Sequence, residues 1–197
     1  MMKRLVPIAL LFASTLLGAG CSTTAPSKFY TLSPAAEAGS LRATYSVSVG
    51  PVSIPDMIDR PQIVVQTGPN QVWMDEFNRW ASPLQSDIAR VVAENLVRLL
   101  GTPLVSVFPQ ATAAGASYRV WIDVAVFELA LGKSAALDAV WRVRGAKEES
   151  TRAGRTTLSE PVPDESYAAL VAAHSRALGR LSAEVAEAIR ALEAGGR

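Results

Sequence analysis

Apolar residues recur along this chain at two spacings, and each spacing predicts a different element. Alternation marks strands: KFYTL (Lys28–Leu32), TYSVSV (Thr44–Val49), IVVQ (Ile63–Gln66) and QVWMD (Gln71–Asp75). TGPN separates the last two and predicts a hairpin. Gly50, Pro51 and Pro55 predict a turn or bend after the second segment. LVSVF (Leu104–Phe108) predicts a further strand. Tyr118–Leu129 is apolar on both alternating faces, a pattern that predicts a central strand covered on both sides, with Asp123 as the polar interruption. Ala139, Trp141 and Val143 alternate with Asp138, Arg142 and Arg144, so a half-exposed neighbour follows. Arg155–Leu158 adds another strand after the charged turn GAKEESTRAG.

Helical spacing appears twice. Leu84, Ile88, Val91, Val92, Leu96 and Leu99 share one side of a helix, with Asn95 as the sole polar member. Ser82, Pro83 and Gln85 predict its capped start, and Gly101 with Pro103 its end. A longer helix runs from Asp164 to about Glu193. Tyr167, Val171, His174, Leu178, Leu181, Val185, Ala188 and Leu192 form a seam on it that Leu170 and Ile189 widen. This width predicts a helix lying across a sheet; a coiled coil with another subunit is the alternative. The fold expected is a single α/β domain, with α+β as the variant: a mixed β-sheet and two principal helices, the long one C-terminal.

Before these elements stands a different pattern. Lys3 and Arg4 precede an apolar run from Leu5 to Leu17, followed by Gly18, Ala19, Gly20 and Cys21. The run would rise only about 20 Å as a helix, short of the roughly 30 Å of a hydrocarbon core. It reads as a secretory signal over residues 1–20, with Gly18, Ala19 and Gly20 as its small-residue cleavage zone. STTAPSK then forms a polar tether, residues 21–28, before a domain over residues 29–195. At most about 25 Å of reach is available to such a tether. Cys21 is the only cysteine, so no internal disulfide stabilises the domain.

Charge removes one class of function. Lys3 and Arg4 are the only charges before Cys21, so 19 basic and 18 acidic side chains become 17 and 18 in the mature chain. Without a basic stripe, nucleic-acid binding has no electrostatic support. Candidate catalytic chemistry is equally thin. GKS at Gly132–Ser134 lacks the first glycine of a phosphate-binding loop, whose place falls on Phe127. His174 is the only histidine, sits on the helix seam and reads as a packed residue, so neither a zinc site nor a His-dependent triad is expected. Asp56 and Asp59 fit a solvated turn between Pro55 and Pro61 better than an acid/base pair. No cofactor, metal or enzymatic activity is expected. Trp73 and Trp80 flank DEFNR, read as an exposed loop, and with Arg79 they are candidate partner-interface residues, core packing being the other reading of the aromatics.

The small residues ending in Cys21 resemble the lipobox of bacterial lipoproteins, with Gly18 where such boxes usually carry Leu. The resemblance implies a cut between Gly20 and Cys21 and acylation of Cys21 by chains such as palmitate, and Ser22 in place of Asp implies sorting to the periplasmic face of the outer membrane. KFYTL, VSIPDMIDRPQIVVQ and NRWASPLQSDIARVVAENL, followed by ESYAALVAAHSRALGRLSAEVAEAIRAL, resemble the PqiC-type (paraquat-inducible protein C) family of ABC-type transport auxiliary lipoproteins. That resemblance implies a non-enzymatic subunit that docks an MCE-domain periplasmic conduit for lipids at the outer membrane and supports membrane integrity. Inner-membrane transporter components would act indirectly, and a homo-oligomeric ring is a possible assembly. The alternative function is a lipoprotein that itself binds a small apolar ligand or lipid, in a pocket beneath the long helix faced by Asp123 or His174.

Overall fold

A computed structural model describes residues 25–40, 42–145 and 150–195. The signal, the cleavage position and Cys21 lie outside the described residues. Among the described residues, eight strands and two α-helices follow in the order β1 (Lys28–Tyr30), β2 (Val47–Ser53), β3 (Gln62–Gly68), β4 (Gln71–Trp80), α1 (Leu84–Leu100), β5 (Val105–Val107), β6 (Tyr118–Ala130), β7 (Ser134–Gly145), β8 (Thr151–Pro161) and α2 (Tyr167–Gly195). They form one mixed α/β domain, as the alternating and helical patterns predict.

Five strands make the larger sheet, in the order β5-β2-β6-β7-β8, and three make a smaller one, β1-β4-β3. β2 runs parallel to both β5 and β6, while β6, β7 and β8 form an antiparallel meander. The β2–α1–β5 connection is therefore a crossover, which parallel neighbours require. Both helices pack against the large sheet, α1 over β2 and β5 and α2 over β6, β7 and β8, and against each other. Val120, Ile122, Leu137, Ala139, Val143, Leu96, Leu178 and Leu181 form part of the shared core.

β6 is central, as expected, but it is covered on one face only. Val120, Ile122 and Val124 point into the core, and after a register shift between Val124 and Val126 the inward set becomes Phe127 and Leu129. The bulge changes the phase of alternation, which is why the sequence looks apolar on both faces. Arg119, Asp123 and Ala125 lie exposed on the outer side, where Ser53 Oγ donates to Asp123 Oδ1 at 2.7 Å.

Other local expectations are corrected by distant contacts. Gly50 and Pro51 do not end β2; they lie within it. Three steps from Val49 to Val52 match two on β6, and Gly50 takes φ +110°, a conformation that L side chains rarely adopt. β8 begins at Thr151, so part of the expected charged turn is strand. No capping box forms at α1: Pro83 is the cap residue, without a side-chain bond to the helix amides. Gln85 instead donates to the Val52 carbonyl. The other end behaves as read, Gly101 closing the helix in the left-handed conformation with its N–H on Val97 O. The seam of α2 is spent within the chain on β6, β7, β8 and α1, which decides against a coiled coil there.

Between β1 and β2 an extended strap crosses both helices. Its Leu32 N–H donates to Asp87 Oδ2 (2.8 Å), Ser33 N–H to Ser175 Oγ (3.1 Å), and the Ala35 and Ala36 N–H groups to Asn95 Oδ1 (3.0 Å each). Gly39 N–H reaches the Arg98 carbonyl at 3.0 Å. Asp87 also accepts from the Arg90 guanidinium at 2.6 Å, so a buried carboxylate in the first turn of α1 is fully engaged.

Gly154 stands opposite Trp141 in the β7–β8 register. The indole covers it: an added Cβ would meet Trp141 Cζ2 at 2.3 Å. That indole is held by Nε1–H donating to Thr156 Oγ1 at 3.0 Å, and Thr156 in turn donates to Glu184 of α2. Gly154→Ala should therefore cost about 1–2 kcal/mol by overpacking, read as a lower urea midpoint. An unchanged midpoint would show that the indole moves freely.

Candidate interaction surface

β3 is buried through Ile63, Val64 and Val65, whereas its partner β4 is exposed from Gln71 to Met74. The hairpin is thus rooted in the core by one strand and presents the other. Val72, Trp73 and Met74 are exposed on it, Trp73 at 60 %. Phe77 on the same strand and Phe29 on β1 are also exposed, at 42 % and 64 %. Trp73, opposite Val65, lies on one face of the hairpin, and Val72 and Met74, opposite Gln66 and Val64, lie on the other.

DEFNR is not a loop. The register jumps from Gln62 opposite Arg79 to Ile63 opposite Asp75, so Glu76, Phe77 and Asn78 bulge out of β4. Asp75 organises that bulge: its carboxylate accepts the Phe77 and Asn78 N–H groups (2.8 and 2.9 Å), the Asn78 amide (3.0 Å) and the Tyr167 hydroxyl (2.7 Å). Burial pushes the Asp75 carboxyl up, but these bonds outweigh it and hold it below the usual carboxylate range. Burial and Asp75 together push the Tyr167 phenol well up, so it remains a proton donor to the carboxylate. Tyr30 donates to Asn78 Oδ1 at 2.8 Å and its ring lies 5.9 Å from that of Tyr167. The start of α2, the bulge and β1 are locked together by this cluster.

The three interface candidates separate. Trp73 is open. Trp80 is buried at 5 % exposure, edge-on to Phe127 with centroids 6.4 Å apart, so it anchors the small sheet to the core and offers no partner surface. Its side chain is pulled inward because β1 and the approach to α1 close over the end of β4. Arg79 is half-buried, with Nη2 3.7 Å from Glu76 Oε2. Sequence reasoning missed Phe29, Val72, Met74 and Phe77; the uncharged run QTGPNQVWM (Gln66–Met74) was the available signal for Val72 and Met74.

The remaining candidates take structural places. Asp56 and Asp59 are both exposed in the turn before β3. Gly132, at φ +62°, belongs to the β6–β7 turn. His174 is fully buried, stacked on Phe127 with centroids 3.7 Å apart and Nε2 3.0 Å from the Glu128 carbonyl. The space beneath α2 at His174 is thus filled by Phe127, and Asp123 faces the opposite side of the sheet; the pocket required by the ligand-binding alternative is not formed by them. Among the described residues, no three His, Cys, Asp or Glu side chains gather as a metal site. Also among them, no helix is long and apolar enough to cross a membrane.

The family model for the ABC-type transport auxiliary lipoprotein component matches residues 30–186. Among solved structures, a Xanthomonas campestris protein of family DUF330 superposes at TM-score 0.69 with 18% identity, covering 86% of this chain and 100% of its own. A second, described only as an uncharacterized protein, gives TM-score 0.68 with 20% identity over 84% of this chain and 99% of its own. Both show the fold. A PelC dodecamer from Paraburkholderia phytofirmans gives TM-score 0.40, 13% identity, 77% and 91% coverage, a likeness too weak to carry its assembly across. No curated protein matches the chain.

Proposed function

The chain belongs to the ABC-type transport auxiliary lipoprotein component family, and from that membership we propose that it is an outer-membrane lipoprotein of an MCE-type intermembrane lipid transport system. In this reading Cys21 carries the acyl chains, the domain faces the periplasm, and its surface receives the end of an MCE-domain conduit. Inner-membrane transporter components act through that conduit, and the role of this chain is docking and membrane integrity, without catalysis.

The observation that supports it is the family match together with the shortness of the tether. β1 begins at Lys28 and joins the small sheet at once. About seven residues separate it from the anchor, a reach of about 25 Å at most. A domain held so close to its own membrane needs a partner to cross the periplasm. A homo-oligomeric ring is the assembly that reception of a conduit calls for, and the solution mass of detergent-extracted protein tests it.

Two measurements test the reading. Crosslinking in the native envelope should recover an MCE-domain protein; recovery of none, with membrane complexes preserved, overturns the docking role. Cys21→Ala should move the protein from the outer-membrane fraction to the soluble periplasm, because stable attachment takes acyl chains at about 0.8 kcal/mol per buried CH₂. Unchanged fractionation refutes the anchor.

A further inference from the structure

We propose that the β3–β4 hairpin lies against the membrane that holds the lipid anchor, with Trp73 at the level of the lipid headgroups. The inference rests on the reading that Cys21 is lipidated, and it assigns the open side of the hairpin to lipid.

Direction of the chain is the first argument. β1 runs parallel to β4, with Lys28 beside Asn78 and Tyr30 beside Trp80. Traced backward, β1 therefore points along β4 toward Phe77 and the hairpin end. Because Glu76–Asn78 bulge out of β4, Arg79 to Trp73 matches only the three β3 steps from Gln62 to Val65, about 10 Å at 3.3–3.4 Å per residue. The tether reaches about 25 Å at most. The hairpin thus lies on the side from which β1 enters the small sheet, and within the tether's reach.

Chemistry of the surface is the second. From Gln66 to Met74 no side chain is charged, and Arg60, whose Nη1 donates to Met74 Sδ at 2.9 Å, is a cation that anionic headgroups match. Trp73 supplies apolar area on one face of β4 and Val72 and Met74 on the other, so the open edge carries both, and Phe29 adds more on β1. Indole, with an apolar body and one N–H, favours the boundary between headgroup and acyl chain. Lys28, exposed at the point where the tether enters, complements anionic headgroups.

Depth follows from the backbone. β1 covers β4 only from Asn78 to Trp80; between Gln71 and Phe77 no described strand covers that edge. Its N–H and C=O groups need polar partners, which hydrocarbon does not provide and the headgroup layer does. The hairpin accordingly rests in the interface and does not enter the core of the bilayer.

The test uses full-length lipidated protein in vesicles of phosphatidylethanolamine and phosphatidylglycerol, with and without phosphatidylcholine brominated on its acyl chains. Trp80 and Trp141 are buried and Trp121 is half-buried on the large sheet, so Trp73 is the reporter. Brominated lipid should quench part of the tryptophan emission, and Trp73→Phe should abolish that quenching while the protein still floats with the vesicles. Flotation without quenching, or quenching that survives Trp73→Phe, overturns the hairpin contact and leaves the anchor standing. Failure to float refutes lipid anchoring and the inference with it. Shielding of Trp73 that accompanies a doubled solution mass, without lipid quenching, would mean that a second copy pairs with the β4 edge, and also overturns it.

Discussion

Lowering the pH from about 7 to about 4 should remove about 3 kcal/mol of folding stability through His174 alone. Burial pushes its imidazole down to about 3, only partly opposed by the hydrogen bond to the Glu128 carbonyl. A carbonyl only accepts, so Nε2 carries the proton and Nδ1 is bare, with no hydrogen-bond partner in the structure. The neutral ring tolerates this arrangement, stacked on Phe127. Protonation would place a charge and an unmatched N–H in the core beneath α2. In the unfolded chain the same imidazole titrates near 6.5. Between about pH 6.5 and about pH 3 the unfolded state therefore binds more protons, and stability present above that window is lost as the pH falls through it. Urea unfolding at both ends, on the wild type and His174→Gln, measures the effect. Asp75, Asp138 and Asp164 also hold lowered pKa values. They contribute acid sensitivity of the same sign to both proteins, so the difference isolates the histidine. Equal acid losses in the two proteins would refute the assignment.

The second large effect belongs to Asn95. Asn95→Leu should cost about 2–3 kcal/mol, although it adds apolar volume to an apolar helix face. The side-chain oxygen accepts two strap amides, from Ala35 and Ala36, and Nδ2 donates to Ser182 Oγ at 3.3 Å. Leucine would leave two strap N–H groups without their acceptor and remove the link between α1 and α2. The loss stays below the full penalty for two unsatisfied donors because Ala35 is exposed and water reaches it. Ser182→Ala breaks only one of these bonds and should cost about 1 kcal/mol or less. Hydrogen exchange separates the readings: Asn95→Leu should speed exchange at Ala35 and Ala36 selectively. Uniform acceleration across both helices would mean that the substitution acts through packing.

These residues show how far spacing carries. The stripe from Leu84 to Leu99 places α1 and makes Asn95 conspicuous, and Gly101 marks the stop, because helix period and left-handed closure are local properties of the chain. His174 reads as packed for the same reason: its neighbours at three and four residues are apolar. What Asn95 binds is beyond spacing, since Ala35 and Ser182 lie about 60 and 87 residues away in sequence.

The surface was less readable than the core. Trp73 and Trp80 look alike as aromatic neighbours of one polar segment, yet one is exposed and the other is packed against Phe127. Only the closure of β1 and the bulge held by Asp75 separate them. Ser82 and Gln85 had the spacing of a capping box, but the Val52 carbonyl, brought close by the β2–α1 packing, took the glutamine. Pro51 had the look of a strand end until a bulge against β6 admitted it. Periodicity, turn chemistry and the N-terminal pattern were set by residues close together in the chain, so the elements and the expected anchor followed from sequence. Which face of β6 is open, which tryptophan is free and toward which side the tether leaves depend on contacts between distant segments, and those exist only in the folded chain.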